Sequence, residues 1–123
     1  MAEQEKRQLV VLVSKGTDSE VSSVAFTIAN GGITSGLDVS IFLTSAGVDL
    51  VRKRASDTTQ VLPLEPLKSM IEGFLGRGGK IWACTPCVKA RGYEQADLVE
   101  GVEISGASVV HERLKSGAAT ISF

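Results

Sequence analysis

Lys80-Ile81-Trp82-Ala83-Cys84-Thr85-Pro86-Cys87, residues 80–87, is the stretch that decides the fold. Its first four residues predict a short strand, and Pro86 suits the first turn of a helix. The two thiols therefore lie at a strand-to-helix turn, which we call the thiol turn (84–87). Because ligands of open parallel sheets bind beyond the carboxyl ends of the strands, a site is expected here.

Strands and helices also alternate on the amino-terminal side of the thiol turn. Leu9–Val13 and Leu37–Leu43 are apolar, β-branched runs, typical of strands that a parallel sheet buries on both faces. Between them, apolar residues at helical spacing predict a helix over 18–32, with Thr17 and Glu20 at the spacing of a capping box. The predicted order is strand, helix, strand.

The segment between the second strand and the thiol turn is predicted to hold two helices joined by a loop. Thr44-Ser45 can cap a short helix that runs through Arg54, and 55–65 lacks periodicity, which predicts an extended loop. Pro66 then begins an amphipathic helix that ends at Gly76-Arg77-Gly78-Gly79. Its apolar stripe is predicted to be core and consists of Leu67, Met70, Ile71, Phe74 and Leu75.

Two further strands follow the thiol turn, Val102–Ile104 and Ala118–Phe123, with a helix over 107–115 between them. Short apolar strands that alternate with helices predict the α/β class, as a three-layer α/β/α fold around a five-stranded parallel sheet. We expect a single domain, 1–123, in which the polar residues 1–7 form a disordered tail.

Composition excludes several classes of function. The 123 residues include 13 basic and 14 acidic side chains, so no strong global field favours direct binding of nucleic acid. No apolar run approaches the roughly twenty residues that cross a bilayer, and the apolar run near the N-terminus is too short for a signal peptide. The predicted location is therefore the cytoplasm, without membrane contact. In a reducing compartment, two cysteines three positions apart indicate reactive thiols or metal ligands.

The residues disfavour nucleotide and metal sites. The segment 14–20, between the first strand and helix, has neither the P-loop spacing nor the Gly-rich dinucleotide pattern. A structural zinc site needs four Cys or His ligands, and the two cysteines with His111 supply three. A lone helical histidine such as His111 is more often a surface or packing residue than a catalyst. We expect no cofactor and no metal.

Cys84 and Cys87 remain as the candidate catalytic residues, with Cys84 preferred. A thiol reacts as its thiolate, and a helix N-terminus lowers the pKa of a thiol because unpaired N–H groups favour negative charge. Lys89 and Arg91 would add positive potential. The spacing does not select one thiol chemistry. It also suits a dithiol redox pair, while an average cysteine is an inert, buried side chain.

The chain resembles the DsrE-like sulfur-relay family (DsrE, DsrF and TusD type) over nearly its whole length. The resemblance rests on the order of several motifs: 9–13, 76–79, 80–84 through 90–93, 98–103 and 118–123. It implies a five-stranded parallel sheet, assembly into homotrimers or homohexamers, and a cysteine that carries sulfane sulfur as a persulfide. In TusD-like members that cysteine stands eight residues before a glycine that follows a basic residue, as Cys84 stands before Gly92 after Arg91.

The leading hypothesis is a cytoplasmic persulfide carrier, a sulfurtransferase-type protein in which the Cys84 thiolate accepts sulfane sulfur and passes it on. Relay members often have an apolar residue where Cys87 stands, and Cys87 would release the sulfur by forming a disulfide, or share it. A CxxC dithiol oxidoreductase or redox sensor is the alternative, and a non-catalytic oligomeric binding subunit is a third. The resemblance does not identify the sulfur donor or acceptor proteins.

Overall fold

The thiol turn lies at the carboxyl ends of the strands of a parallel sheet. In the computed structural model, which describes residues 6–123, five strands pair in parallel in the order β4-β3-β2-β1-β5. The strands are β1 Gln8–Val13, β2 Asp38–Leu43, β3 Lys80–Cys84, β4 Val102–Ser105 and β5 Ala119–Ser122. The helices are α1 Glu20–Thr34, α2 Leu67–Gly76, α3 Thr85–Ala90 and α4 Ser108–Lys115, with 3₁₀ helices at Ser45–Val51 and Gln95–Asp97. The α/β class and the five-stranded parallel sheet predicted from the sequence are confirmed.

Helices α1 and α2 cover one face of the sheet. Gly32 allows α1 to approach the strands closely, since a Cβ at this position would lie 2.9 Å from Cγ2 of Val39. The two helices also contact each other, with the rings of Phe26 and Phe74 meeting edge to face at a centroid distance of 6.3 Å. These contacts form the main core, as the periodic apolar stripe predicted.

Helix α4 covers the opposite face. The connections from β1 through β4 all run in one direction across the sheet, and the connection from β4 to β5 runs back in the other direction. A right-handed crossover in this reversed direction places α4 on the opposite face. Arg113 of α4 lies over the ring of Trp82, 5.4 Å from its centroid, and its Nη1 lies 3.0 Å from Oδ2 of Asp38. The three-layer arrangement follows.

The helix starts differ from the sequence prediction. Ser19 caps α1 in place of the predicted Thr17 capping box, and its hydroxyl accepts a hydrogen bond from the Val21 N–H at 3.3 Å. The helix predicted from Thr44 through Arg54 is instead a 3₁₀ helix that ends at Val51. Gly47 in this segment is buried against the backbone of Val13, which holds the chain tightly against the strand ends.

The loop 55–65 also differs from its predicted extended path, because hydrogen-bonded turns fold it back on itself. The Leu64 N–H donates to the Val61 carbonyl at 2.7 Å, and the Leu67 N–H donates to the Thr59 carbonyl at 3.0 Å. Residues 1–5 of the predicted N-terminal tail lie outside the described residues. The carbonyl of Arg7, at the end of that tail, accepts a hydrogen bond from the Asp38 N–H. Among the helices of residues 6–123, none combines the length and apolar character that crossing a bilayer requires.

Candidate thiol site

Both cysteines lie at the carboxyl edge of the sheet, as the sequence predicted. Cys84 is the last residue of β3 and occupies the N-cap position of α3, while Pro86 stands in the first turn of that helix. Strand β3 is apolar and buried, and proline favours a helix start, so the strand-to-helix transition is encoded locally. Both thiols are free.

The two thiols differ in exposure. Cys84 is buried, with 9% of its surface exposed, and it pairs in register with Ser105 of β4. Cys87, one turn into α3, is partly exposed. A reagent or a partner protein therefore reaches Cys87 more readily than Cys84.

The Cys87 sulfur lies in hydrogen-bond range of two residues that follow the neighbouring strand β2. The Ser45 N–H donates to its sulfur at 3.2 Å, and Oγ1 of Thr44 lies 3.6 Å from the same atom. Ser45 has a φ of +53°, in the left-handed region that costs a residue with a side chain about 1 kcal/mol or more. The strained backbone at Ser45 thus points an N–H group at the Cys87 sulfur.

These surroundings push the two thiol pKa values in opposite directions. Burial raises the pKa of Cys84 above its ordinary value, and the Cys87 side chain adds to the rise. The Cys87 N–H and the Thr44 hydroxyl act in the opposite direction but do not offset this rise. Partial burial alone would also raise the pKa of Cys87, but hydrogen bonds from Thr44 and Ser45 and the charge of Arg91 bring it below the ordinary value. A lowered pKa, which the sequence predicted for a thiol at the helix start, is therefore found at Cys87 and not at Cys84.

The helix start does not lower the pKa of Cys84, and the reason is physical. Helix α3 has six residues, which is short for a helix dipole. The Cys87 N–H in its first turn does favour the Cys84 thiolate, but this effect on the pKa is smaller than that of burial. Desolvation at the end of a buried strand then has the larger effect on its pKa. Of the two basic residues expected to help, Arg91 favours the thiolate of Cys87, and Lys89 lies exposed in the last turn of α3.

A polar cluster joins the 3₁₀ helix Ser45–Val51 to the end of α3. Oδ1 of Asp49 accepts hydrogen bonds from Arg91 Nε at 3.0 Å and from the Tyr93 hydroxyl at 2.6 Å. Arg91 also donates from Nη1 to the carbonyl of Cys87 at 3.3 Å. Burial, followed by the adjacent Asp49 carboxylate, raises the pKa of Tyr93. The cluster fixes the segment that carries Ser45 against the helix that carries Cys87.

Sequence reasoning named Cys84, Cys87 and Arg91 but missed Thr44, Ser45 and Asp49 as parts of the site. Forty-two residues separate Ser45 from Cys87, and the same number separates Asp49 from Arg91. No local spacing signals such contacts. The usable signal was topological, because residues that follow adjacent parallel strands meet at one edge of the sheet.

His111 is exposed on α4. Among residues 6–123, no three His, Cys, Asp or Glu side chains lie close enough together to hold a metal ion. Two surface hollows of about 530 Å³ each lie elsewhere, one at the amino ends of β1 and β2 and one beside α2, and among the described residues neither cysteine lines them. The thiol turn is a surface site and not the floor of either hollow.

The comparison with protein families identifies the family of the chain. Residues 7–123 match the model of the DsrE/DsrF-like family. The chain belongs to the DsrE/DsrF-like family. The resemblance seen in the sequence is confirmed, and this family is generally linked to sulfur relay.

Relatives of this DsrE/DsrF-like protein occur in methanogenic archaea. It is 32% identical over 90 residues to the uncharacterized protein MJ0989 of Methanocaldococcus jannaschii, covering 73% of this chain and 74% of that one. It is 34% identical over 96 residues to the uncharacterized protein MK0008 of Methanopyrus kandleri, covering 78% of this chain and 76% of that one. These relatives support family membership and carry no assigned activity.

Solved structures share the fold. MTH1491 of Methanobacterium thermoautotrophicum, a protein of unknown function, superposes with a TM-score of 0.77 at 20% identity, covering 96% of this chain and all (100%) of that one. The ychN protein of E. coli gives the same TM-score of 0.77 and 20% identity, covering 97% of this chain and 100% of that one. At this level of identity the likeness concerns the fold alone.

Proposed function

We propose that this DsrE/DsrF-like protein is a persulfide sulfur carrier of the sulfurtransferase type, in which the thiol turn accepts sulfane sulfur from one protein and passes it to another. The observation that carries the proposal is the pair of free thiols at the carboxyl edge of the sheet, one of which is held by hydrogen bonds that favour its thiolate. A thiolate is the nucleophile that sulfur transfer requires.

Within this proposal Cys84 is the residue on which the sulfur rests. Its match to the carrier cysteine of TusD-like proteins, eight residues before Gly92, supports this role. Its 9% exposure supports it as well, because a persulfide at a buried position is shielded from solvent thiols that would remove the sulfur. Cys87 exchanges sulfur with Cys84 or resolves it as a disulfide.

Transfer by this route needs no oxidant or reductant. A thiolate attacks the outer sulfur of a donor persulfide, R–S–SH, and a new S–S bond forms on the carrier. The S–S bond of the donor breaks, and the donor leaves as the thiolate R–S⁻. The proton stays on the transferred sulfur, and delivery to an acceptor thiolate repeats the same exchange.

The partners in this proposal are other proteins, including further copies of this chain. A site at the surface and outside the hollows suits a donor or acceptor that presents its own cysteine. The homotrimer or homohexamer implied by the family resemblance is part of the proposal, as is the cytoplasmic location. Strand β5 offers a surface for assembly, since all four of its residues are exposed.

A second function is supported by the interaction between the Cys84 and Cys87 thiols, which influence each other's pKa. Two neighbouring thiols can form a disulfide, as in a dithiol oxidoreductase or redox sensor. A reversible Cys84–Cys87 disulfide, formed in a glutathione redox buffer at cytoplasmic potential, would favour this alternative.

The sulfur carrier is tested by loading the protein with glutathione persulfide, alkylating it and measuring its mass. Cleavage after Lys80 and Lys89 yields a peptide, 81–89, that holds both cysteines, and fragment ions divide them. We expect a gain of one sulfur atom, located on Cys84 when loading is complete, and no gain in the Cys84→Ser/Cys87→Ser double variant. Wild-type protein whose Cys84 stays unmodified would refute the proposal.

A further inference from the structure

The two thiols of the site are equipped for different steps. Cys87 is partly exposed and accepts an N–H hydrogen bond from Ser45 at 3.2 Å, with the Thr44 hydroxyl 3.6 Å away. Cys84 is 9% exposed, and burial disfavours its thiolate. The family resemblance places sulfur acceptance on Cys84, whereas these contacts favour Cys87 as the residue that meets the donor.

We infer that Cys87 takes the sulfur from the donor and then hands it to Cys84, so that sulfur enters through one thiol and rests on the other. The inference rests on the proposed sulfur-carrier function and specifies its order of events. It follows from the exposure of Cys87 and from the Ser45 N–H and the Thr44 hydroxyl that converge on its sulfur.

In the entry step the Cys87 thiolate attacks the outer sulfur of the donor persulfide. A bond forms between Cys87 Sγ and that sulfur, the S–S bond of the donor breaks, and the donor leaves as a thiolate. The Ser45 N–H and the Thr44 hydroxyl hold the attacking thiolate before the reaction, at the surface where a protein donor can dock. A direct attack by Cys84 would require the donor sulfur to reach a buried thiol.

In the handover step Cys84 attacks the outer sulfur of the Cys87 persulfide. A bond forms between Cys84 Sγ and the outer sulfur, the bond from that sulfur to Cys87 Sγ breaks, and the thiol proton of Cys84 passes to the Cys87 thiolate that leaves. The exchange conserves sulfur, charge and electrons. The donors around Cys87 favour this step too, because a stabilised thiolate is a better leaving group.

The order of events is tested by the rate at which Cys84 gains sulfur. Full-length protein is mixed with glutathione persulfide, quenched with an alkylating reagent at increasing times and analysed as the peptide 81–89. We expect Cys87→Ser to slow the loading of Cys84 by roughly tenfold or more, because the accessible thiolate is gone. In wild-type protein sulfur should appear on Cys87 before it appears on Cys84.

Thr44→Val provides a milder variant that keeps both cysteines. It removes the hydroxyl next to the Cys87 sulfur while keeping the shape of the side chain. This hydroxyl is the first of the groups that lower the pKa of Cys87 and the last of those that act on Cys84, so we expect roughly threefold slower loading through its effect on Cys87. Thr58→Val makes the same change at an exposed position of the loop 55–65 and should load at the wild-type rate. Circular dichroism of each variant checks that the fold is retained.

The outcomes separate this inference from the function on which it rests. If Cys87→Ser and Thr44→Val load Cys84 at the wild-type rate, the inference is overturned while the sulfur carrier stands. If Cys84 of the wild-type protein gains no sulfur, the proposed function itself fails. Slow loading in Cys87→Ser and Thr44→Val, with the wild-type rate in Thr58→Val, supports entry through Cys87.

Discussion

Cys84 and Cys87 carry the same functional group three positions apart, and their reactivity with pH should show how differently they are placed. The pKa of Cys87 is lowered by Thr44, Ser45 and Arg91, so its thiolate persists to lower pH than that of an ordinary cysteine. The pKa of Cys84 is raised by burial, so its thiolate forms at higher pH. We expect iodoacetamide to alkylate Cys87 at lower pH than Cys84, measured by mass spectrometry of each residue across a pH series.

Two variants sharpen this prediction. In Thr44→Val the alkylation profile of Cys87 should move to higher pH, because one donor to its sulfur is lost. In Cys84→Ser the alkylation of Cys87 should still occur at lower pH than the alkylation of an ordinary cysteine. A wild-type protein in which Cys84 reacts at the lower pH would contradict the assignment.

Gly47 is a second residue whose role is set by close contact. A Cβ at this position would overlap the carbonyl oxygen of Val13, which is backbone and cannot rotate away. We expect Gly47→Ala to lower the free energy of unfolding by about 2 kcal/mol, measured by urea denaturation. The change should also slow alkylation of Cys87, because Gly47 and Ser45 lie in the same 3₁₀ helix.

Gly73 provides the matched control for Gly47. It lies in the exposed face of α2, and a Cβ there meets nothing within 4 Å. Gly73→Ala should therefore raise the free energy of unfolding by about 0.5–1 kcal/mol, since alanine is the better helix residue. Equal losses of stability in both variants would show that the backbone contact at Gly47 is unimportant.

At the scale of elements, the sequence predicted the strands and the four α-helices well and the segments between them poorly. The strand predicted at Leu9–Val13 is found at Gln8–Val13. It could be predicted because a continuous run of apolar, β-branched residues is a local signal for a strand that is buried on both faces. The segment 44–54 follows no such pattern. In the structure it packs closely, at Gly47, against the backbone of Val13, which lies far away in the sequence.

The same division applies to the site. Cys84 and Cys87 could be placed at a strand-to-helix turn because proline and the preceding apolar strand are local signals. The donors on Cys87 and the cluster around Asp49 come from another crossover of the fold. Tertiary contacts therefore decide which thiol has the lower pKa, and the motif alone does not.

The contact between the 3₁₀ helix Ser45–Val51 and α3 gives a prediction for Asp49. Its carboxylate accepts from both Arg91 and Tyr93, and the Asp49 and Arg91 side chains are 35% and 32% exposed. Because solvent screens a pair of this exposure, Asp49→Asn should lower the free energy of unfolding by only about 1 kcal/mol. Chemical denaturation measures this loss.

A titration separates the effect on Tyr93 from the effect on stability. Tyr93 is the single tyrosine of the chain, and Asp49 contributes to its raised pKa. In Asp49→Asn the absorbance of its phenolate should therefore appear at lower pH than in the wild type. An unchanged titration would show that Asp49 does not act on Tyr93.

At the scale of the whole molecule, α4 connects the layers through Arg113. Its guanidinium lies on the ring of Trp82, and Trp82 is two residues before Cys84 in β3. Arg113→Ala should lower the free energy of unfolding by about 1–2 kcal/mol and shift the emission of this single tryptophan to longer wavelength, as water reaches the ring. Lys115→Ala, on the same helix with its side chain 74% exposed, should change neither.

Strand β5 forms one edge of the sheet and could pair with a second copy of the chain. No strand of residues 6–123 pairs with the outer edge of β5, whose sequence Ala-Thr-Ile-Ser lacks the lysine or proline that protects many edges. Ile121 on this strand is 40% exposed, and a second copy of the chain would cover it.

We expect native mass spectrometry of the wild type to show a trimer or hexamer, and Ile121→Lys to shift it to smaller species. Ile28→Lys makes the same change on α1 at 37% exposure and should leave the assembly intact. A monomeric wild type, or equal dissociation in both variants, would show that β5 is not the assembling edge.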